Sequence, residues 1–134
     1  MSDNRFAMTV RVYLEDTDAQ GVVYNASYFR FMERARTECL RDKGVDHDEF
    51  RNVYGANLVL ARVEARFVAP SRLSDILSIE ANVADIRGAR IVFEQSVRRA
   101  GELICEGRAE VACMDAVTNR PRRFPEELLS MWLQ

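Results

Sequence analysis

Residues 12 to 38 read VYLEDTDAQGVVYNASYFRFMERARTE, a stretch that sets acids, a glycine and aromatic residues directly before a run of helix-forming ones. Glu15, Asp16 and Asp18 crowd three carboxylates into one short loop. A carboxylate held in place there can take a proton as general base or attack a carbonyl carbon as nucleophile. The alternative is a solvated acidic turn, in which the three acids repel one another and keep to water. A helix beginning after Val23–Ala26 adds backbone N–H groups and a positive dipole end, which is what a developing oxyanion requires.

Competing chemistries fit less well. Asp16, Asp18, Gln20 and Gly21 fall near the early positions of a calcium-binding EF-hand loop, but Ser27 stands where that loop needs a bidentate glutamate. The flanks read strand then helix, not helix then helix. His47 is the single histidine and sits in a polar stretch, expected at the surface; neither a GxSxG elbow nor an HExxH zinc motif is present. No metal or cofactor is expected. Cys39, Cys105 and Cys113 are odd in number and widely spaced, so they read as reduced packing residues rather than a disulfide framework or a CxxC site.

The elements that must position the acids follow from periodicity. TVRVYL, Thr9 to Leu14, alternates Val10, Val12 and Leu14 and predicts a first strand. Tyr28, Phe31, Met32, Ala35, Cys39 and Leu40 recur three and four apart, predicting an amphipathic helix of about four turns that ends before Gly44. Asn25 or Ser27 would cap its start. Asp46 to Tyr54 adds a short helical turn. Four strands follow: NLVLARVEARF, with Val59, Ala61, Val63, Ala65 and Phe67 opposite Leu58, Leu60 and three charged residues; LSIEANVAD; ARIVFEQSVRR; and LICEGRAEVACM. PEELLSMWL predicts a last helix, Pro125 in its first turn, packing over a sheet edge or bundle end. The order β-α-β-β-β-β in a single domain over residues 1–134 implies an α+β fold, one long helix on a mostly antiparallel sheet.

Composition sets outer limits. Nineteen basic and twenty-one acidic residues give a net charge of −2, so nothing global attracts a nucleic acid. The opening MSDNRFAMTV lacks the apolar stretch of a signal peptide, and no apolar run is long enough to cross a bilayer. The expected location is the cytoplasm.

Residues 12 to 38, together with VEARFVAPSRLSD (63 to 75) and TNRPRRFPEEL (118 to 128), resemble the 4-hydroxybenzoyl-CoA thioesterase-like family, especially its YbgC-type acyl-CoA thioesterases. The resemblance covers nearly the whole chain. It implies the hotdog fold, a long central helix packed against a curved antiparallel five-stranded sheet, in homodimers that associate to homotetramers. It also implies an acyl-CoA thioester hydrolase in which Asp18 is catalytic and backbone amides around Tyr24 and Asn25 hold the thioester oxygen. Asn25 departs from the family, which commonly has His there; Asn cannot transfer protons near neutral pH but can donate a hydrogen bond. The CoA thiolate leaves readily, its thiol pKa being about 8.5, so a general acid is dispensable. Val22, Val23, Tyr24 and Leu60 are candidates to contact the acyl group, and Arg87, Arg90 and Arg123 to hold the CoA phosphates. An acyl-carrier protein is a further conceivable partner. Two other readings stay open: a non-catalytic acyl-CoA or acyl-carrier-protein binding module, and a scaffold using an exposed aromatic tail at Trp132. A dehydratase fits less well, for want of its histidine.

Overall fold

The structure, a computed structural model, describes residues 5–132. It contains β1 (Arg5–Arg11), a 3₁₀ turn (Leu14–Asp16), α1 (Asn25–Asp42), α2 (His47–Tyr54), β2 (Ala56–Phe67), β3 (Ile76–Arg87), β4 (Arg90–Arg99), β5 (Glu102–Asp115) and α3 (Glu126–Trp132). The strands form one antiparallel sheet in the order β1-β3-β4-β5-β2, so β1 and β2 are its edges. This is the expected α+β arrangement, a long helix against a five-stranded sheet.

The helix α1 forms because its apolar residues share one stripe. Phe31, Met32, Ala35, Cys39 and Leu40 are buried against Leu77, Ile79 and Ala81 of β3 and Ile91, Phe93 and Val97 of β4. Each large aliphatic or aromatic side chain buried there contributes about 1.5–3 kcal/mol. The helix stops where Gly44 takes φ 84°, a conformation in which a Cβ would be strained. At Gly107 of β5 the constraint is space: a Cβ would lie 3.0 Å from the Glu64 carbonyl oxygen and 3.0 Å from Met32 Sδ. The glycine lets α1 and β2 both come close to β5.

Three expectations are corrected. The first strand ends at Arg11 rather than Leu14, because the Val12 backbone turns to pair with Ser74 and Asp75; Leu14 is 74% exposed in the 3₁₀ turn. In β2 the register slips between Leu60 and Arg62, so the side chains change phase at Ala61. Leu58 and Leu60 therefore share the helix side with Val63 and Ala65 instead of opposing them. Trp132 is 2% exposed and packs edge-on to Phe124, with Leu128 and Leu129 also buried, so no exposed aromatic tail exists to support a scaffold. The bundle-end packing expected of the last helix is what α3 does, Tyr54 donating to Glu127 Oε1 at 2.7 Å.

Candidate active site

The acidic loop divides its carboxylates by burial. Asp16 is 5% exposed: its Oδ2 accepts the Tyr13 N–H at 2.9 Å and its Oδ1 accepts Arg30 Nη2 at 3.3 Å. Its carbonyl oxygen accepts both the Tyr24 N–H (2.9 Å) and the Ser27 hydroxyl (3.0 Å). Asp16 thus splints the 3₁₀ turn to the start of α1. Glu15 and Asp18 face water.

After Asp16 the chain makes a tight hairpin. Thr17 bridges Val23, the Asp18 N–H donates to the Val22 carbonyl (2.9 Å), and the Gly21 N–H donates back to the Asp18 carbonyl (3.0 Å). Gly21 holds φ 79°, which the turn demands and glycine supplies at little cost. Asp18 Oδ1 accepts the Gln20 N–H at 2.8 Å, an Asx turn that fixes the side chain. Its Oδ2 has no protein partner among the described residues, so one oxygen of an oriented carboxylate is available for chemistry.

The returning strand of that hairpin leads into α1. Val22 bridges Arg72, and the Val23 N–H donates to the Ser71 carbonyl at 2.8 Å. Ser71 is itself buried, its hydroxyl 2.6 Å from that of Tyr28. Tyr24 is the N-cap, with ψ 141° and no capping side-chain bond. Neither Asn25 nor Ser27 caps, contrary to expectation, because both lie inside the helix and the Ser27 hydroxyl is turned to Asp16. Since the Tyr24 N–H is given to Asp16, the amides left without an acceptor among the described residues are those of Asn25 and Ala26. Two unspent N–H groups at a helix start can hold a developing oxyanion.

The other expected site residues separate. Val22 is half-buried beside the hairpin, and Tyr24 and Asn25 are exposed at the helix start. Val23 is sealed in the core and lines no surface in this chain. Leu60 lines a cleft of about 230 Å³ between α1 and β2, with Phe29, Arg30, Glu33, Arg36 and Val63. Arg87, Arg90 and Arg123 do converge, Arg87 opposite Arg90 in the β3–β4 hairpin and Arg123 beside Gly88. That hairpin is at the wrong end for one chain's own site. The Asp18 loop packs on residues 71–75, where the twelve-residue β3 begins. At ~3.3 Å per residue the far end of β3 is roughly 35 Å away. The three are also engaged, with Asp85 (2.6 Å), Glu110 (2.9 Å) and Glu126 (3.8 Å).

Two basic side chains lie near Asp18 that local periodicity does not point to, because Val22 meets Arg72 only in the folded chain. Arg72 adjoins Val22, is exposed, and makes no salt bridge among the described residues. Arg99 pairs with Asp75 (3.0 Å) and Glu102 (2.7 Å) at the same end. The hydrogen bond from the Arg72 N–H, then Arg99, holds the Asp75 carboxyl below its usual pKa. The signal available in sequence was the SR pair of VAPSRLSD.

Other features take no part. A concavity of about 490 Å³ lies over Arg66, Glu106, Glu94 and Arg108, whose charges pair with each other at 2.6 and 3.5 Å. His47 is exposed at the start of α2, after the Asp46 cap. Burial pushes all three thiols up, that of Cys105 to about 11, so they stay protonated and packed. Among the described residues no three metal-ligating side chains gather, and no helix is long and apolar enough to cross a membrane.

Comparison with known proteins matches residues 12–131 to the thioesterase-like superfamily. The chain is 38% identical over 128 residues to the acyl-CoA thioesterase YbgC of Haemophilus influenzae, covering 96% of this chain and 94% of that protein. It is 38% identical to the acyl-CoA thioester hydrolase YbgC of Escherichia coli O6:H1 over the full length of both. The crystal structure of a probable thioesterase from Bartonella henselae superposes with a TM-score of 0.83 at 31% identity, over 90% of this chain and 99% of that one. A 1,4-dihydroxy-2-naphthoyl-CoA thioesterase from Synechocystis shares the fold, with a TM-score of 0.89 at 20% identity, over 97% and 96%.

Proposed function

The chain belongs to the thioesterase-like superfamily, and from that premise we propose that it hydrolyses small to medium acyl-CoA thioesters to the free acid and coenzyme A. Asp18 is the reacting carboxylate and the Asn25 and Ala26 amides receive the thioester oxygen. The observation that carries the reading is local: an exposed, Asx-turn-oriented carboxylate and two unspent helix-start amides flank the same Thr17–Val23 rung.

Two routes use these groups. As nucleophile, Asp18 attacks the thioester carbonyl, the C–S bond breaks, CoA departs as thiolate, and water hydrolyses the mixed anhydride to restore the carboxylate. As base, Asp18 takes a proton from water while that water attacks, the C–S bond then breaks, and the proton passes to the departing CoA thiolate. In both the carbonyl oxygen becomes negative in the tetrahedral intermediate. A single well-placed donor to such an oxygen contributes about 2.7–4 kcal/mol. Asn25 supplies its amide from the backbone, and its side chain offers substrate a hydrogen bond but no proton shuttle.

The rest of the substrate follows. Arg72, beside Val22 and free of a salt bridge, replaces Arg87, Arg90 and Arg123 as the cation suited to CoA phosphates in the same chain. Val22 and Leu60 remain the apolar contacts for the acyl group, and an acyl-carrier protein could present the same thioester. The unpaired edge of β2, with Val59, Leu60, Phe67 and Val68 exposed, suits a second copy of the chain, and we extend the proposal to a homodimer that associates to a homotetramer.

The test is release of free thiol from a panel of acyl-CoA thioesters by the wild type and Asp18→Asn. Expected is a loss of turnover of at least about a hundredfold in the variant. Undiminished turnover by Asp18→Asn would remove Asp18 from the mechanism, and tight acyl-CoA binding without thiol release by the wild type would make the protein a binding module.

A further inference from the structure

Arg36 is a charge in an unusual place. It lies in the buried stripe of α1 and is only 6% exposed, yet among the described residues it has no carboxylate partner. Its one side-chain acceptor is Gln95 Oε1, to which Nη1 donates at 2.9 Å. Gln95 is locked for that task, since its Nε2 donates to the Met32 carbonyl at 2.8 Å. A guanidinium carries five N–H donors, so most of those on Arg36 are unspent. Burial also lowers its pKa, with only exposed Glu33 acting the other way. Replacing such a residue by a hydrocarbon of equal volume commonly stabilises a fold, so packing alone is a weak reason for its presence.

The surroundings indicate what it meets. Arg36 forms part of the cleft between α1 and β2, whose walls are otherwise mainly Phe29, Leu60 and Val63, with Arg30 and Glu33 also lining it. Phe29 begins that cleft one helical turn beyond Asn25 and stacks edge-on with Phe67 of β2. Residues 29, 33 and 36 lie on one helix stripe, so the cleft runs from one turn beyond the open amides to Arg36. Asn25 and Arg36 are roughly 16 Å apart along the axis at ~1.5 Å per residue.

We propose that Arg36 is a specificity-determining residue that receives a terminal carboxylate on the acyl group, so that the enzyme favours acyl-CoA thioesters carrying a distal carboxylate over equally long ones ending in methyl. This rests on the thioesterase reading above. The apolar walls take the methylene chain, and the anion meets a largely buried cation that Gln95 holds in place. A carboxylate matches a guanidinium by two parallel hydrogen bonds, which a neutral end group cannot do. Arg30 is paired with Asp16 and Glu33 is exposed at the rim, so Arg36 is the cation of the cleft that no carboxylate holds among the described residues.

The experiment compares kcat/KM for matched pairs, adipoyl- with hexanoyl-CoA, suberoyl- with octanoyl-CoA and sebacoyl- with decanoyl-CoA. Wild type, Arg36→Lys and Arg36→Met are compared. In the wild type the carboxylate-ended member should be favoured by at least about tenfold at one chain length. That ratio should fall in Arg36→Lys, which keeps the charge without the fork, and vanish in Arg36→Met; a structural role for Arg36 would not move the ratio. A wild-type ratio near one at every length, or a preference that survives in Arg36→Met, overturns the proposal. Should Arg36→Met not fold, the wild-type ratios and Arg36→Lys decide. If no thioester is hydrolysed, the catalytic reading has failed and the inference is read by calorimetric binding of the same pairs, with the same ratios supporting or overturning it.

Discussion

Removing the side chain of Asp16 and neutralising Asp18 should produce opposite signatures, although the two acids are two residues apart. Asp16→Ala deletes the carboxylate that accepts the Tyr13 N–H and Arg30 Nη2. A hydrogen bond to a buried charged group contributes about 1.5–3 kcal/mol. The ion pair adds less than about 1 kcal/mol, because the Arg30 side chain is half exposed and screened by water. The sum is a loss of about 2–4 kcal/mol. At roughly 3 °C per kcal/mol for a domain of this size, the melting temperature should drop by about 6–12 °C. Asp18→Asn keeps an oxygen for the Gln20 N–H, so its melting temperature should stay within about 2 °C of wild type. Thermal melts by circular dichroism, paired with thiol release measured well below the melt, check both halves. Asp16→Ala should retain turnover within about tenfold while Asp18→Asn loses at least about a hundredfold. The reasoning is refuted if Asp16→Ala melts with the wild type, or if Asp18→Asn is the less stable and the more active of the two.

Gly107→Ala should cost about 1–3 kcal/mol by chemical denaturation, since Met32 can swing aside but the Glu64 carbonyl belongs to the β2–β5 ladder. In a Met32→Ala background the cost should shrink without vanishing; no cost in either background would show that the strands can part freely there. Asp75→Asn tests the loop that carries Arg72. Because the folded pKa of Asp75 lies below its unfolded value, the stabilisation is complete above about pH 4 and is lost as pH falls through the folded value. The melting-temperature gap between wild type and variant should therefore be widest near neutrality and close in acid, and a gap independent of pH would exclude the linkage.

What could be read from sequence was what local periodicity encodes. The stripe from Tyr28 to Leu40 announced α1, and EDTD before a helix start announced a carboxylate beside open amides. Which carboxylate faced water was not legible, because Asp16 is distinguished from Asp18 only by Arg30 folding back on it and by the backbone it anchors. The phase of β2 was misread for a similar reason: a bulge at Ala61 leaves no mark in composition yet moves Leu60 to the helix side. Which arginines share an end of the sheet with Asp18 was not legible, because that depends on strand direction, a property of the whole sheet. Nothing in the sequence separates Arg36 from Arg34 and Arg41 on the same helix, and only its pairing with Gln95 across the core sets it apart.

The uncapped start of α1 limits how this protein can be made hardier. Serine or aspartate at position 24 is an ordinary stabilising choice, contributing about 1 kcal/mol where a helix opens on a residue such as Tyr24. Under the proposed mechanism such a side chain would bond the Ala26 N–H, one of the two amides offered to the thioester oxygen, and so act as a tethered inhibitor within the chain. Natural sequence change under pressure for heat resistance would meet the same obstacle, so gains in stability must come from elsewhere, such as α3 or the exposed edge of β2.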